Sequence, residues 1–170
     1  VNVYSRSPKV KLYLNDKLIG EKETGKENYT ATFDVPYEPE TLKAVNSKGK
    51  EEFVLKTAGA PAAIRLIADR SKIKACKNDL SYVKIELVDK NGNVVPETSL
   101  PVKIECTGKG TVIAGGNAAY ADMESFRSLT PNTFRGKAIA IVQPDGEKGD
   151  IQVKVSAKGL EDASIVITTY

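Results

Sequence analysis

The sequence predicts an all-β chain built of two tandem antiparallel β-sandwich domains. Three observations carry this. Apolar residues recur with period two over short stretches, turn-forming dipeptides separate those stretches, and no run of a dozen residues holds a 3.6-residue period. The nearest approach to a helical pattern is 119–130, around Met123, Phe126 and Leu129.

The expected strands follow in order. Val1-Asn2-Val3-Tyr4 already alternates, so the chain reads as a piece of a longer polypeptide. Val10, Leu12 and Leu14 alternate with Lys11 and Tyr13, and Tyr29, Ala31, Phe33 and Val35 alternate with Thr30, Thr32 and Asp34. Further on, Val83, Ile85 and Leu87 alternate with Lys84 and Glu86. Val102 and Ile104, then Ile151, Val153 and Val155, then Ile165 and Ile167, complete the set. Alternation places one side chain in two on a buried face. Asn15-Asp16, Lys48-Gly49, Asn91-Gly92, Asp145-Gly146 and Lys158-Gly159 punctuate the strands with residues that tolerate positive φ, as tight hairpins require.

One boundary stands out. Thr57-Ala-Gly-Ala-Pro-Ala-Ala63 is small, uncharged and broken by Gly and Pro. It predicts a first domain over 1–57, a linker over 58–63 and a second domain over 64–170.

Composition excludes several functions. The 170 residues contain no histidine and no tryptophan. Without histidine the chain has no Ser-His-Asp or Cys-His nucleophilic machinery and no His-ligated metal site. Two cysteines, Cys76 and Cys106, are too few for a zinc site, and nothing in the sequence brings them within bridging distance. Charge is interleaved: residues 1–57 carry ten basic and nine acidic side chains, and 58–170 carry fifteen and thirteen. There is no basic stripe for a nucleic acid and no apolar run of the roughly 20 residues that span a membrane. Asp89-Lys90-Asn91-Gly92-Asn93 opens like a calcium loop but lacks Gly at position six and Glu at position twelve, so it reads as a hairpin turn. Gly108-Lys109-Gly110 and Gly115-Gly116 precede no helix, so bulged or tightly turning backbone is expected there rather than a phosphate cradle.

Segment 115–136 is long for a sandwich loop and holds Tyr120, Asp122, Glu124, Arg127 and Arg135. Long loops are often functional. These five residues are the candidates for contact with a glycan or with another domain. Asp122 and Glu124 form the tempting carboxylate pair, but nothing in the sequence desolvates either, and no residue is assigned as catalytic.

Particular motifs resemble a known family. Val3-Tyr4-Ser5, Leu14-Asn15-Asp16-Lys17 and Gly20 resemble the start of accessory domains in glycoside hydrolase family 2 β-galactosidases of Bacteroides type. Pro36-Tyr37-Glu38-Pro39-Glu40-Thr41-Leu42-Lys43-Ala44 resembles a later strand entry of that domain. Thr57-Ala58-Gly59-Ala60-Pro61-Ala62-Ala63-Ile64-Arg65-Leu66 resembles the junction into a C-terminal immunoglobulin-like domain. Asp16 and Glu40 stand where that family has Gly, and Ala118-Ala119-Tyr120 departs from the relatives' loop.

The resemblance implies two tandem immunoglobulin-like antiparallel β-sandwich domains. It implies a non-catalytic C-terminal portion of a β-galactosidase-like enzyme, buttressing the catalytic barrel or its oligomer interface. The partner is then the catalytic domain of the same parent polypeptide, with no cofactor, no metal, no nucleic acid and no membrane span. The location is periplasmic or cell-surface if that parent is exported. The family's catalytic glutamates lie in the barrel, and no residue here matches them. Two alternatives stay open: a carbohydrate-binding module that tethers the enzyme to glycan, and an adhesin-type stalk domain.

Overall fold

The computed structural model describes residues 1–170 and contains fourteen strands and no helix. The nearest helical pattern, 119–130, folds as turns within a loop, because its apolar side chains have no core beneath them. No helix is long and apolar enough to cross a membrane. The chain falls into two compact units, Val1–Thr57 and Ala58–Tyr170.

The first unit has six strands: β1 (Asn2–Tyr4), β2 (Lys9–Leu14), β3 (Lys17–Glu23), β4 (Thr30–Thr32), β5 (Thr41–Asn46) and β6 (Glu52–Lys56). They form a four-stranded sheet in the order β3-β2-β5-β6 and a two-stranded sheet, β1-β4. Alternation on β2 buries Val10, Leu12 and Leu14. Val10 and Leu12 cluster with Ala31 and Phe33 from the other layer. The β2–β3 hairpin turns at Asn15 and Asp16, with φ of 49° and 62°. Asp16 thus sits in a left-handed position that an Asp side chain tolerates. The stretch 29–35 yields a shorter strand than its alternation predicts. β1 supplies only three ladder partners, and Pro36 carries no N–H to prolong the pairing.

The second unit contains β7 (Ala63–Ala68), β8 (Lys72–Ile73), β9 (Ser81–Val88), β10 (Val102–Gly108), β11 (Gly110–Gly116), β12 (Lys137–Pro144), β13 (Gly149–Ala157) and β14 (Ala163–Thr169). One sheet runs β11-β12-β9-β7 and the other β10-β13-β14-β8. β8 lies parallel to β14, while its predecessor β7 sits in the opposite sheet. Taking β7 and β8 together as the first strand, these are the ABED and CFG orders of an immunoglobulin-like sandwich. The core lies between the sheets. Val83, Ile85 and Leu87 of β9 meet Val102 and Ile104 of β10 and Ile151, Val153 and Val155 of β13.

Residues 58–63 are tied to this second unit. The Gly59 N–H donates to Asp89 Oδ2 at 2.9 Å, and the Ala62 N–H donates to the Val88 carbonyl at 2.8 Å. Cys76 and Cys106 are free thiols, the first exposed and the second half-buried.

Candidate functional site

Strands β10 and β11 end their respective sheets and follow one another in the chain, so the sandwich has an open side there. The connection from β11 to β12 closes it. The Ile104 N–H donates to the Leu129 carbonyl at 2.8 Å and the Val102 N–H to the Pro131 carbonyl at 3.0 Å, which covers the first half of the β10 edge. The Gly115 N–H donates to the Phe126 carbonyl at 2.7 Å, which anchors the same loop to β11. A sheet edge left bare invites foreign strands, and this loop covers two at once. The paired glycines make that approach feasible. A Cβ on Gly115 would fall 2.8 Å from the Ser128 carbonyl oxygen, and one on Gly116 would fall 2.7 Å from the Phe126 ring. The bulge expected near these glycines lies between Val112 and Ala114.

Inside the loop the candidate carboxylates are braces. Asn117 Nδ2 donates to Asp122 Oδ2 at 2.5 Å and to the Asn132 carbonyl at 2.9 Å. Asp122 Oδ1 accepts from the Glu124 N–H at 2.9 Å. Glu124 Oε1 accepts from Asn132 Nδ2 at 2.8 Å. Asp122, Glu124 and Phe126 border a cavity of about 20 Å³, room for about one water molecule and far too little for a sugar ring.

Arg135 lies apart from that cluster. It occupies the two-residue hairpin between Phe134 and Lys137, whose N–H and C=O groups bond each other at 2.8 and 3.0 Å. Its φ is 51° and that of Gly136 is 71°. The guanidinium stands 5.5 Å from the centre of the Phe134 ring. Together with Val94, Pro96, Ala118, Phe134 and Ile139, it borders an open groove of about 580 Å³. The charged residues lining the groove are Arg135 and Lys137, both positive.

The five sequence candidates therefore do not form one site. Asp122 and Glu124 hold the loop, Arg135 borders the groove, and Tyr120 and Arg127 border neither cavity. What the sequence candidates omit is apolar. Met123 is 95% exposed, beside Tyr120 at 99% and Phe126 at 70%. Val94, Pro96 and Ile139 of the groove are likewise absent from those five candidates. The available signal was the unbroken apolar run Ala138–Val142, which leaves Ile139 facing outward on β12.

Two carboxylates on β9 and in the turn that follows it have altered acidity. Asp89 is held down to about 2, first by the Gly59 N–H, against the opposing effect of burial, and then by Asn93 and Asn91. This is the turn that only superficially opens like a calcium loop. Asp89 Oδ1 accepts the backbone N–H groups of Asn91 and Asn93, and Oδ2 accepts the Gly59 N–H and Asn93 Nδ2. Burial pushes the Glu86 carboxyl up, but Arg65 and Lys84 outweigh it and lower it below the usual range.

Comparison with known proteins agrees with this architecture. Residues 1–53 match a domain of unknown function (DUF4982). The β-galactosidase BoGH2A of Bacteroides ovatus is 32% identical over 168 residues, which is 97% of this chain and 20% of that protein. A β-glucuronidase of Formosa agariphila is 27% identical over 171 residues, 97% of this chain and 17% of that protein. The crystal structure of a glycosyl hydrolase family 2 member from Bacteroides cellulosilyticus superposes with a TM-score of 0.89 at 37% identity. That superposition covers 98% of this chain and 24% of the other. The chain thus spans about a fifth of the length of the curated relatives it matches. Residues 64–166, more than half of the chain, match the family described as glycoside hydrolase family 2 C-terminal domain 5, and the chain belongs to that family.

Proposed function

We propose that this chain is the non-catalytic C-terminal support of a glycoside hydrolase that cleaves O-glycosyl bonds of the β-galactoside class. Its role is to buttress the catalytic domain of the same polypeptide and to shape the oligomer contact of the enzyme. The observation that carries the reading is the loop 117–136. Its backbone is braced by Asn117, Asp122, Glu124 and Asn132, yet Tyr120 and Met123 project from it almost uncovered and Phe126 is largely exposed. An ordered loop that holds large apolar side chains in solvent is shaped for a protein surface. The neighbouring groove, apolar with a positive rim, extends the same contact toward an acidic-edged partner. The relatives' names divide between β-galactosidase and β-glucuronidase, and the resemblance of the first-domain motifs favours the galactoside class.

The test uses the full enzyme. Tyr120→Ser with Met123→Ser removes apolar contact worth about 2 kcal/mol or more if both side chains are buried. Initial rates of galactoside hydrolysis stay within about twofold, because neither residue touches the reaction, while heat inactivation accelerates about tenfold. Unchanged heat stability overturns the buttress. Saturable amide shifts on 115–136 with galactose-containing glycans, abolished by Tyr120→Ala, would replace it with a glycan-binding module.

A further inference from the structure

Strand β6 ends the four-stranded sheet of the first unit, so β5 pairs only one of its edges. The Asn46 N–H donates to the Glu51 carbonyl and the Thr57 N–H to the Glu40 carbonyl. An antiparallel ladder alternates, so Phe53 and Leu55 also turn their peptide groups toward β5. Glu52, Val54 and Lys56 turn theirs outward, and no other residue of the chain bonds them.

Natural edges are blunted by proline, by bulges or by a charge in mid-strand. β6 has none of these. Its register with β5 is unbroken, and its middle is Phe53-Val54-Leu55, exposed at 67%, 37% and 54%. Its charges stand only at the ends, Glu52 at one and Lys56 at the other.

We propose that β6 is a homotypic edge: two copies of the chain pair through it, antiparallel, about a two-fold axis at Val54. The sequence Glu-Phe-Val-Leu-Lys is self-complementary in that register. Val54 meets its own counterpart, Glu52 meets Lys56 of the second copy, and Lys56 meets its Glu52. Phe53 meets Leu55 on the opposite face. Glu52, Val54 and Lys56 share the outward parity, so all three positions become hydrogen-bonded pairs. Other registers lose this. Sliding by two residues one way sets Lys50 against Lys56, and the other way leaves Glu52 opposite Ala58. Parallel in-register pairing sets Glu52 against Glu52. Opposite charges directly across a ladder stabilise it and like charges destabilise it. The charge pattern thus selects a second copy as the occupant. The product is one continuous sheet of eight strands. Five residues a side bury far less than the roughly 800 Å² per partner of a standing complex, so the dimer forms and dissociates with concentration.

This names the oligomer contact of the proposed function and rests on that reading, whereas the heat-stability test above reads the catalytic contact alone. The experiment is sedimentation of the full protein carrying this chain over a concentration series. A monomer–dimer equilibrium is expected. Glu52→Lys and Lys56→Glu each raise the dissociation constant roughly tenfold, since the symmetry creates two like-charge pairs at once. The double variant Glu52→Lys/Lys56→Glu restores the original value. Val54→Cys, in a Cys76→Ser background, cross-links on mild oxidation, because facing Cα atoms about 5.5 Å apart suit a disulfide. A monomer at every concentration overturns the proposal. So does a dimer indifferent to both charge reversals, or slow hydrogen exchange at Val54 in the monomer, which would mean the same polypeptide already covers the edge.

Discussion

Asp89 shows how one side chain can hold a junction. Its carboxylate is buried, with a residue exposure of 3%, and receives four N–H groups from Gly59, Asn91 and Asn93. The bond to Gly59 reaches back thirty residues and fixes the start of the second unit to the β9 turn. These donors favour the charged form, which is why the carboxyl falls from an ordinary 3.8 to about 2. A depressed carboxyl stabilises the fold fully above its unfolded value near 3.9, and that contribution disappears as pH falls toward 2. Asp89→Asn places an amide donor against existing donors, so the thermal midpoint at pH 7 falls. Its midpoint also becomes less sensitive to acid below pH 4 than that of the native protein, and parallel melts at pH 7 and pH 3 read both effects. The sequence signals this turn through Asn91-Gly92. It does not signal Gly59, because the partner is distant in the chain and carries only a backbone N–H. Tyr120 and Arg135 illustrate the same limit. Both were legible as candidates in a long loop, but their separation into a bare tip and a groove wall depends on how 117–136 crosses two sheet edges.

Among the elements, strands with one buried face were legible and the others were not. β2, β9, β10 and β13 alternate in sequence because they alternate in burial. β12 escapes the pattern: Ala138, Ala140 and Val142 point inward while Ile139 and Ile141 point outward, so both faces are apolar. β6 escapes it because every one of its residues is exposed. β9 carries a different exception on its outer face. Glu86 is buried there, with its side chain 4% exposed, and accepts Arg65 Nε at 2.9 Å and Arg65 Nη2 at 2.6 Å. Lys84 Nζ stands 3.2 Å from its other oxygen. Apart from Arg70 with the partly buried Asp79, the other ion pairs join side chains that are mostly exposed, and they contribute little. Arg65 is itself 41% exposed, so removing it leaves the desolvated Glu86 with Lys84 as its remaining partner. Arg65→Met is therefore expected to cost about 1–3 kcal/mol in denaturant unfolding, while an exposed-pair variant such as Lys103→Met is close to neutral. Equal losses for the two variants would show that Lys84 alone satisfies Glu86.

At the scale of the whole molecule, each unit has its own core. Leu12 is 1% exposed in the first cluster, and Ile85 is fully buried in the second. Leu12→Ala is expected to cost about 2–5 kcal/mol of cavity and transfer energy. The loss should appear as faster hydrogen exchange across β2 and β5 alone, with β9 and β13 unchanged. Equal acceleration in both units would mean that they unfold as one. The sequence by itself determined the all-β class, the hairpin turns and the family, because period-two burial, left-handed turn residues and the junction motif are local patterns. It also supplied the self-complementary charges of β6. Only the tertiary structure decided that β7 and β8 divide one strand between two sheets, that the β11–β12 loop seals a pair of edges, and that β6 keeps one edge bare. Those outcomes depend on which strands become neighbours. Strand adjacency is set by the packing of distant side chains around a shared core, and no local pattern records it.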